Sequence, residues 1–211
     1  VIGLAPLVAR QGGRVRLMAN LREKKNFGGF DSAGSARGKG VRKRLADTTA
    51  PLYAGAPGVS SHLMQGTALD TTEVQDKWWN DAPESHRQVS DRIEELLWQI
   101  QFSPERRIAL VGHSHFFREV FRRHLSAHYR HRHYLQSLRL CEQKLSNCGV
   151  VAVTCHFGER DAYFARHGPS APATAPMAAG VIVDVELLLD TTLVGKPKSL
   201  ELRRGPGAVK D

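Results

Sequence analysis

Residues 106–125 read "RRIALVGHSHFFREVFRRHL". Ile108 to Val111 are apolar without a break and follow the Ser103-Pro104 pair, the pattern of a short strand buried on both faces. Beyond Gly112, Phe116, Phe117, Val120, Phe121 and Leu125 fall on one side, while Arg118, Glu119, Arg122 and Arg123 fall mostly on the other. That is the pattern of a helix lying on a sheet. The stretch therefore predicts a strand, a Gly-His-Ser-His turn and a helix, and strands buried on both faces belong to parallel sheets.

Upstream, Val89, Ile93, Leu96, Leu97 and Ile100 form one helical stripe. Asp81 and Glu84 have capping-box spacing, and Pro83 suits a first turn, so the helix is expected to start near Asp81 and stop before Pro104. Downstream, "GVVAVTCHF" (149–157) and "GVIVDVELLL" (180–189) are expected as strands from their β-branched content. "RVRLMANL" (14–21) has the alternation of another strand, and "VIGLAPLV" (1–8) suits the end of a helix. The expected fold class is α/β, a three-layer α/β/α arrangement with a mostly parallel central sheet.

The 211 residues suit one domain, read as 1–195. It carries an inserted flexible loop at 156–180, rich in Ala, Pro and Gly, and is followed by a basic flexible tail at 196–211. The net charge of +9 suits a polyanionic or phosphorylated partner. Much of the excess sits in "ARGKGVRKRL" (36–45) and the tail, in the manner of solvated loops. No aromatic residues interleave with those charges, so no specific nucleic-acid partner is expected. Cys141, Cys148 and Cys155 are expected as reduced thiols, lacking the close pairs of a zinc site or the density of a disulfide scaffold. No apolar run reaches the length of a membrane span and no signal peptide is evident, which leaves the cytoplasm as the default compartment.

Gly112, His113 and Ser114 occupy the place where open α/β sheets bind ligands. Unpaired N–H groups and the positive end of a helix dipole favour an anion there, above all a phosphate. Gly112 lets the chain turn close to a ligand, and the His113 imidazole can donate a hydrogen bond, carry charge or transfer a proton. Two rival chemistries share these letters. "GHSHF" falls one residue short of the Gly-x-Ser-x-Gly elbow that would make Ser114 a serine nucleophile, and Phe116 stands where the elbow needs its final Gly. Pairs such as His113 with His115 and His124 with His128 have spacings that could share a metal, but lack carboxylate or Cys partners at ligand spacing and stand among arginines. These histidines are read as a basic face, and no metal or cofactor is expected.

With "NLREKKNFGGFDS" (20–32), "WWNDAPES" (78–85), Arg92, "RIALVGHSHFFREVF" (107–121) and "LSNCGVVAV" (145–153) in this order, the chain resembles the histidine phosphatase superfamily, the phosphoglycerate-mutase-like fold. The resemblance covers about residues 1–155, and the strand near 181–189 extends it. It implies phosphoryl transfer through a phosphohistidine, by a phosphatase or a mutase. By resemblance His113 is the second histidine, which positions the phosphoryl group, and Glu23 of "LRE" is the general acid. Ser114 and Gly112 are expected to bind the substrate phosphate. Without the resemblance, Glu23 reads as a surface ion-pair partner of Arg22 and Lys24, Glu84 and Ser85 as helix caps, and Arg92 as a solvated or ion-paired helix residue.

The family's nucleophilic Arg-His-Gly, which closes its first strand, has no counterpart at the expected place. Arg166-His167-Gly168 lies in the inserted loop and is read as coincidence. The chain is accordingly expected to be an amino-terminally truncated fragment keeping half the pocket, inactive or nearly so. Its substrate would be a phosphorylated small molecule or a phosphoprotein. The alternatives are an inactive phosphate-binding or scaffolding pseudo-phosphatase and, behind it, an α/β-hydrolase-type serine esterase.

Overall fold

The computed structural model describes residues 14–23, 68–78, 82–158 and 180–195, together with Gly40, Lys43, Asp47 and Pro51. The expected opening helix, the basic stretch at 36–45 apart from Gly40 and Lys43, most of the inserted loop and the tail lie outside these residues. The chain divides into two compact units, Val1–Leu96 and Leu97–Asp211.

In the first unit, β1 (Arg14–Arg16) pairs in parallel with β2 (Ala68–Asp70), Val15 opposite Leu69. The Leu17 amide extends the ladder by donating to the Asp70 carbonyl at 2.9 Å. Each strand hands over to a single 3-10 turn, Ala19–Leu21 after β1 and Thr72–Val74 after β2. The second turn is set by Asp70, whose carboxylate accepts from the Thr72 hydroxyl at 2.6 Å and the Thr72 amide at 3.0 Å. Those two bonds, the hydroxyl's first, hold the Asp70 carboxyl below its ordinary range, with Arg16 adding to them.

Helix α1 (His86–Gln101) buries Val89, Ile93, Leu96 and Leu97, the stripe expected from their spacing. Its cap differs from expectation by one turn. Ser85, not Asp81, begins the helix: its hydroxyl accepts from the Gln88 amide at 3.2 Å while Gln88 returns a bond to the Ser85 amide at 2.8 Å. This reciprocal Ser-x-x-Gln box satisfies two orphan groups at once and leaves Glu84 outside the helix.

In the second unit, 106–112 corrects the expected strand. The segment has no regular structure, Ile108 and Val111 are exposed at 42% and 63%, and no ladder pairs it among the described residues. An apolar run specifies a strand only where a partner strand takes up its N–H and C=O groups. Helix α2 (Ser114–His124) forms as its amphipathic pattern predicts and buries Phe116 and Phe121 together with Glu119 and His124. The buried Glu119 carboxylate faces Arg122 at 3.5 Å and Arg123 at 3.8 Å, three and four positions on and so about one helical turn away.

α2 stops at Leu125, which bridges Ile182 in parallel, and the Ser126 amide donates to the Ile182 carbonyl at 2.8 Å. Ser126 then caps α3 (Ala127–Arg132) by accepting from the Tyr129 amide at 3.1 Å. Arg130 ties the junction by donating to the carbonyls of Arg122 at 2.6 Å and Leu125 at 3.0 Å, a cation set against a helix C-terminus. α4 (Tyr134–Glu142) buries Leu140 and Cys141, and its contacts are with α2 and α3.

Two antiparallel pairs complete the unit. β3 (Lys144–Leu145) pairs with β6 (Leu193–Val194), and β4 (Val150–Cys155) pairs with β5 (Ile182–Leu188), Ala152 opposite Glu186, with an irregularity at Thr154/Cys155. The strands expected at 149–157 and 180–189 are thus present and are each other's neighbours. Leu189 and Asp190, with φ of 50° and 56°, turn the chain sharply out of β5. Among the described residues the sheets are pairs, one parallel and two antiparallel.

Candidate functional site

The expected site residues fall in both units: Glu23 in the first, Gly112, His113 and Ser114 in the second. Each group is built here from its own surroundings.

In the second unit His113 is the N-cap of α2, with extended backbone at φ −108° and ψ 145°, and its carbonyl accepts from the Phe117 amide at 3.1 Å. Ser114 is the first helical residue and Gly112 precedes the cap on exposed backbone. The cap geometry follows from the sequence. Gly112 imposes no side chain on the turn, and Phe116 anchors the first turn by full burial. The imidazole makes no capping bond to the helix, so the first-turn amides are not satisfied by it, and a helix start of this kind attracts negative charge. His113 and Ser114 are both half-exposed. The ring is therefore accessible at the positive end of an 11-residue helix, and an imidazole so placed can donate to, or charge-pair with, an oxyanion.

In the first unit the 3-10 turn Ala19–Leu21 delivers the chain to Arg22 and Glu23. Here the structure adds a cluster that no single spacing in the sequence announced. Glu84, its side chain 2% exposed, divides its carboxylate between two arginines: Oε1 accepts from Arg22 and Oε2 from Arg92, each at 2.6 Å. Arg92, buried on α1, also donates to the carbonyls of Asn20 at 2.8 Å and Arg22 at 2.6 Å, while Arg22 donates to the carbonyl of Ala19 at 2.8 Å. Burial pulls the Arg92 guanidinium below its ordinary range, and the adjacent Glu84 carboxylate acts in the opposite direction.

The capping role expected for Glu84 is thus replaced by a buried double ion pair, and Ser85 alone of the two is a cap. Arg92 takes the ion-paired role of its two expected ones. The only sequence signal for the cluster was Glu84 and Arg92 lying 8 residues apart across the helix start; Arg22, 62 residues from Glu84, could not be paired with it by spacing.

Among the described residues no three His, Cys, Asp or Glu side chains gather as metal ligands would, and no helix is long and apolar enough to cross a membrane. Arg166-His167-Gly168 lies outside the described residues. No protein-family model matches the chain, and no curated protein or solved structure matches it either.

Proposed function

We propose that the protein is a phosphoric ester hydrolase or phosphomutase of the histidine phosphatase kind, acting through a phosphohistidine. The observation that carries the reading is His113 at the N-cap of α2, directly after Gly112 and directly before Ser114, with no side-chain capping bond. A phosphoryl group brings negative charge spread over its equatorial oxygens, and fixed donors facing those oxygens lower the barrier to transfer. In this reading His113 and the first-turn amides hold the oxygens, the Ser114 hydroxyl and the backbone at Gly112 complete the cradle, and Glu23 protonates the leaving oxygen. A covalent phosphohistidine divides one difficult displacement into two easier ones. The attacking histidine is not among the residues matched in this sequence. The reading brings with it a three-layer α/β/α domain over residues 1–195 and a phosphorylated small molecule or phosphoprotein as substrate.

The test is turnover of an aryl phosphate by the protein, followed by acid-labile phosphate on protein trapped during turnover. His113→Ala in that protein should lower kcat/KM by about 10²–10³-fold, the size of a lost oxyanion donor. Absence of turnover, or activity untouched by the substitution, overturns the reading. Binding of phosphorylated ligands without turnover would instead place the protein with inactive phosphate-binding scaffolds. The serine-esterase alternative gains no support from α2, where Phe116 is fully buried at the position an elbow reserves for glycine.

A further inference from the structure

We propose that Glu84, Arg92 and Arg22 form a clamp whose purpose is to position Glu23, so that all three are positioning residues for the proton donor of the reaction; this rests on the phosphoryl-transfer reading above. The clamp grips the backbone before Glu23 at three points. Arg22 holds the Ala19 carbonyl at 2.8 Å, Arg92 holds the Asn20 carbonyl at 2.8 Å, and Arg92 holds the Arg22 carbonyl, in the peptide that leads into Glu23, at 2.6 Å. A three-residue 3-10 turn cannot hold this geometry by itself, because it closes with poor i→i+3 bonds: the Arg22 amide reaches the Ala19 carbonyl at 3.4 Å and the Leu21 amide reaches the Met18 carbonyl at 3.2 Å. The guanidinium bonds are shorter and charge-assisted.

Glu84 is what makes the grip rigid. Its carboxylate bonds one nitrogen of each guanidinium at 2.6 Å, which leaves the other nitrogen of each aimed at the carbonyls. With side chains 2% exposed for Glu84 and 3% for Arg92, water does not compete for these bonds. The charges also bear on Glu23. Arg92 is affected first by burial and then by Glu84, but the Glu23 carboxylate is near enough to act on it as well. Without Glu84, the charge of Arg92 would bear more fully on Glu23, and a carboxyl that must give up and regain a proton in each cycle would be held by an ion pair.

A general acid has most effect when the leaving group is a poor one, whereas a p-nitrophenolate departs with little help. Loss of the clamp should therefore discriminate between leaving groups, which a merely structural role would not do. The experiment compares Glu84→Gln, and Arg22→Gln as a milder variant at the half-exposed partner, with the parent, after circular dichroism shows each folded. The kcat on an alkyl phosphate should fall about 10–100-fold, a part of the roughly 10²–10⁴-fold of general acid catalysis, with p-nitrophenyl phosphate changed less than about threefold and Glu23→Gln reproducing the pattern. In the chain itself, hydrogen exchange at the Asn20–Glu23 amides should quicken in Glu84→Gln and stay unchanged at Val150–Cys155.

Equal losses on both substrates, or unchanged exchange at 20–23 in a folded variant, overturn the clamp. If Glu23→Gln shows no leaving-group dependence while Glu84→Gln does, the assignment of Glu23 falls and the clamp serves another donor. Absence of turnover in the parent overturns the phosphatase reading and with it the clamp's catalytic purpose.

Discussion

Replacing Arg92 by leucine is the sharpest test of how the first unit is held. Leucine keeps the apolar stem that lies in the buried stripe of α1 and removes only the guanidinium. Three bonds disappear: to Glu84 Oε2 at 2.6 Å, to the Asn20 carbonyl at 2.8 Å and to the Arg22 carbonyl at 2.6 Å. The first loss dominates, because it leaves a carboxylate 2% exposed with Arg22, 19% exposed, as its remaining clamp partner. Removing one member of a buried pair costs about 3–5 kcal/mol. The two bereft carbonyls add about 1 kcal/mol each where water cannot reach them, and the apolar burial of leucine returns about 1–2 kcal/mol. The expected net destabilisation is about 3–6 kcal/mol, a large share of the stability of a domain this size. Arg92→Lys keeps the charge but loses the fork that serves carboxylate and carbonyls together, and should cost about 1–2 kcal/mol. Urea unfolding with linear extrapolation measures both. A cost below about 1 kcal/mol for Arg92→Leu would mean that the buried charges contribute nothing net and would refute the reasoning.

Gly180→Ala should destabilise the second unit by about 1–3 kcal/mol, because its new Cβ would stand 2.4 Å from the carbonyl carbon and oxygen of Leu125, backbone that must move and disturb the Leu125–Ile182 bridge; thermal unfolding checks it. Among the three free thiols, the exposed Cys148 should be alkylated by iodoacetamide first, while Cys141 and Cys155, whose thiols burial pushes up, should lag in a mass-spectrometric time course. The same raised values make stability fully present below the unfolded thiol range and progressively lost as pH rises through it, so urea midpoints should fall on the alkaline side as those thiols begin to ionise in the unfolded chain.

In the second unit α2 was legible because helices are specified locally. The positions of Phe116, Phe121 and Leu125 mark the apolar side of α2 through spacings of one turn or so, and Gly112 followed by His113 and Ser114 marks where it starts. The cap of α1 was misplaced because Asp81 and Glu84 satisfy the same rule as Ser85 and Gln88; the second pair prevails where Glu84 has two arginines to face. His113 could be singled out from its place in the chain. The role of Glu84 could not, since its partner Arg22 is distant in sequence and nothing periodic joins them.

What the sequence by itself determined, then, is that two segments coil: the stripe of α1 and the amphipathic α2 depend on residues within about a turn of one another. Only the tertiary structure decided that β4 takes β5 as an antiparallel neighbour, that the apolar run at 108–111 finds no ladder among the described residues, and that Glu84 holds Arg22 and Arg92. The physical reason is that a helix satisfies its backbone within four residues. A strand or a buried carboxylate is satisfied only by groups that loop closure brings in from elsewhere in the chain.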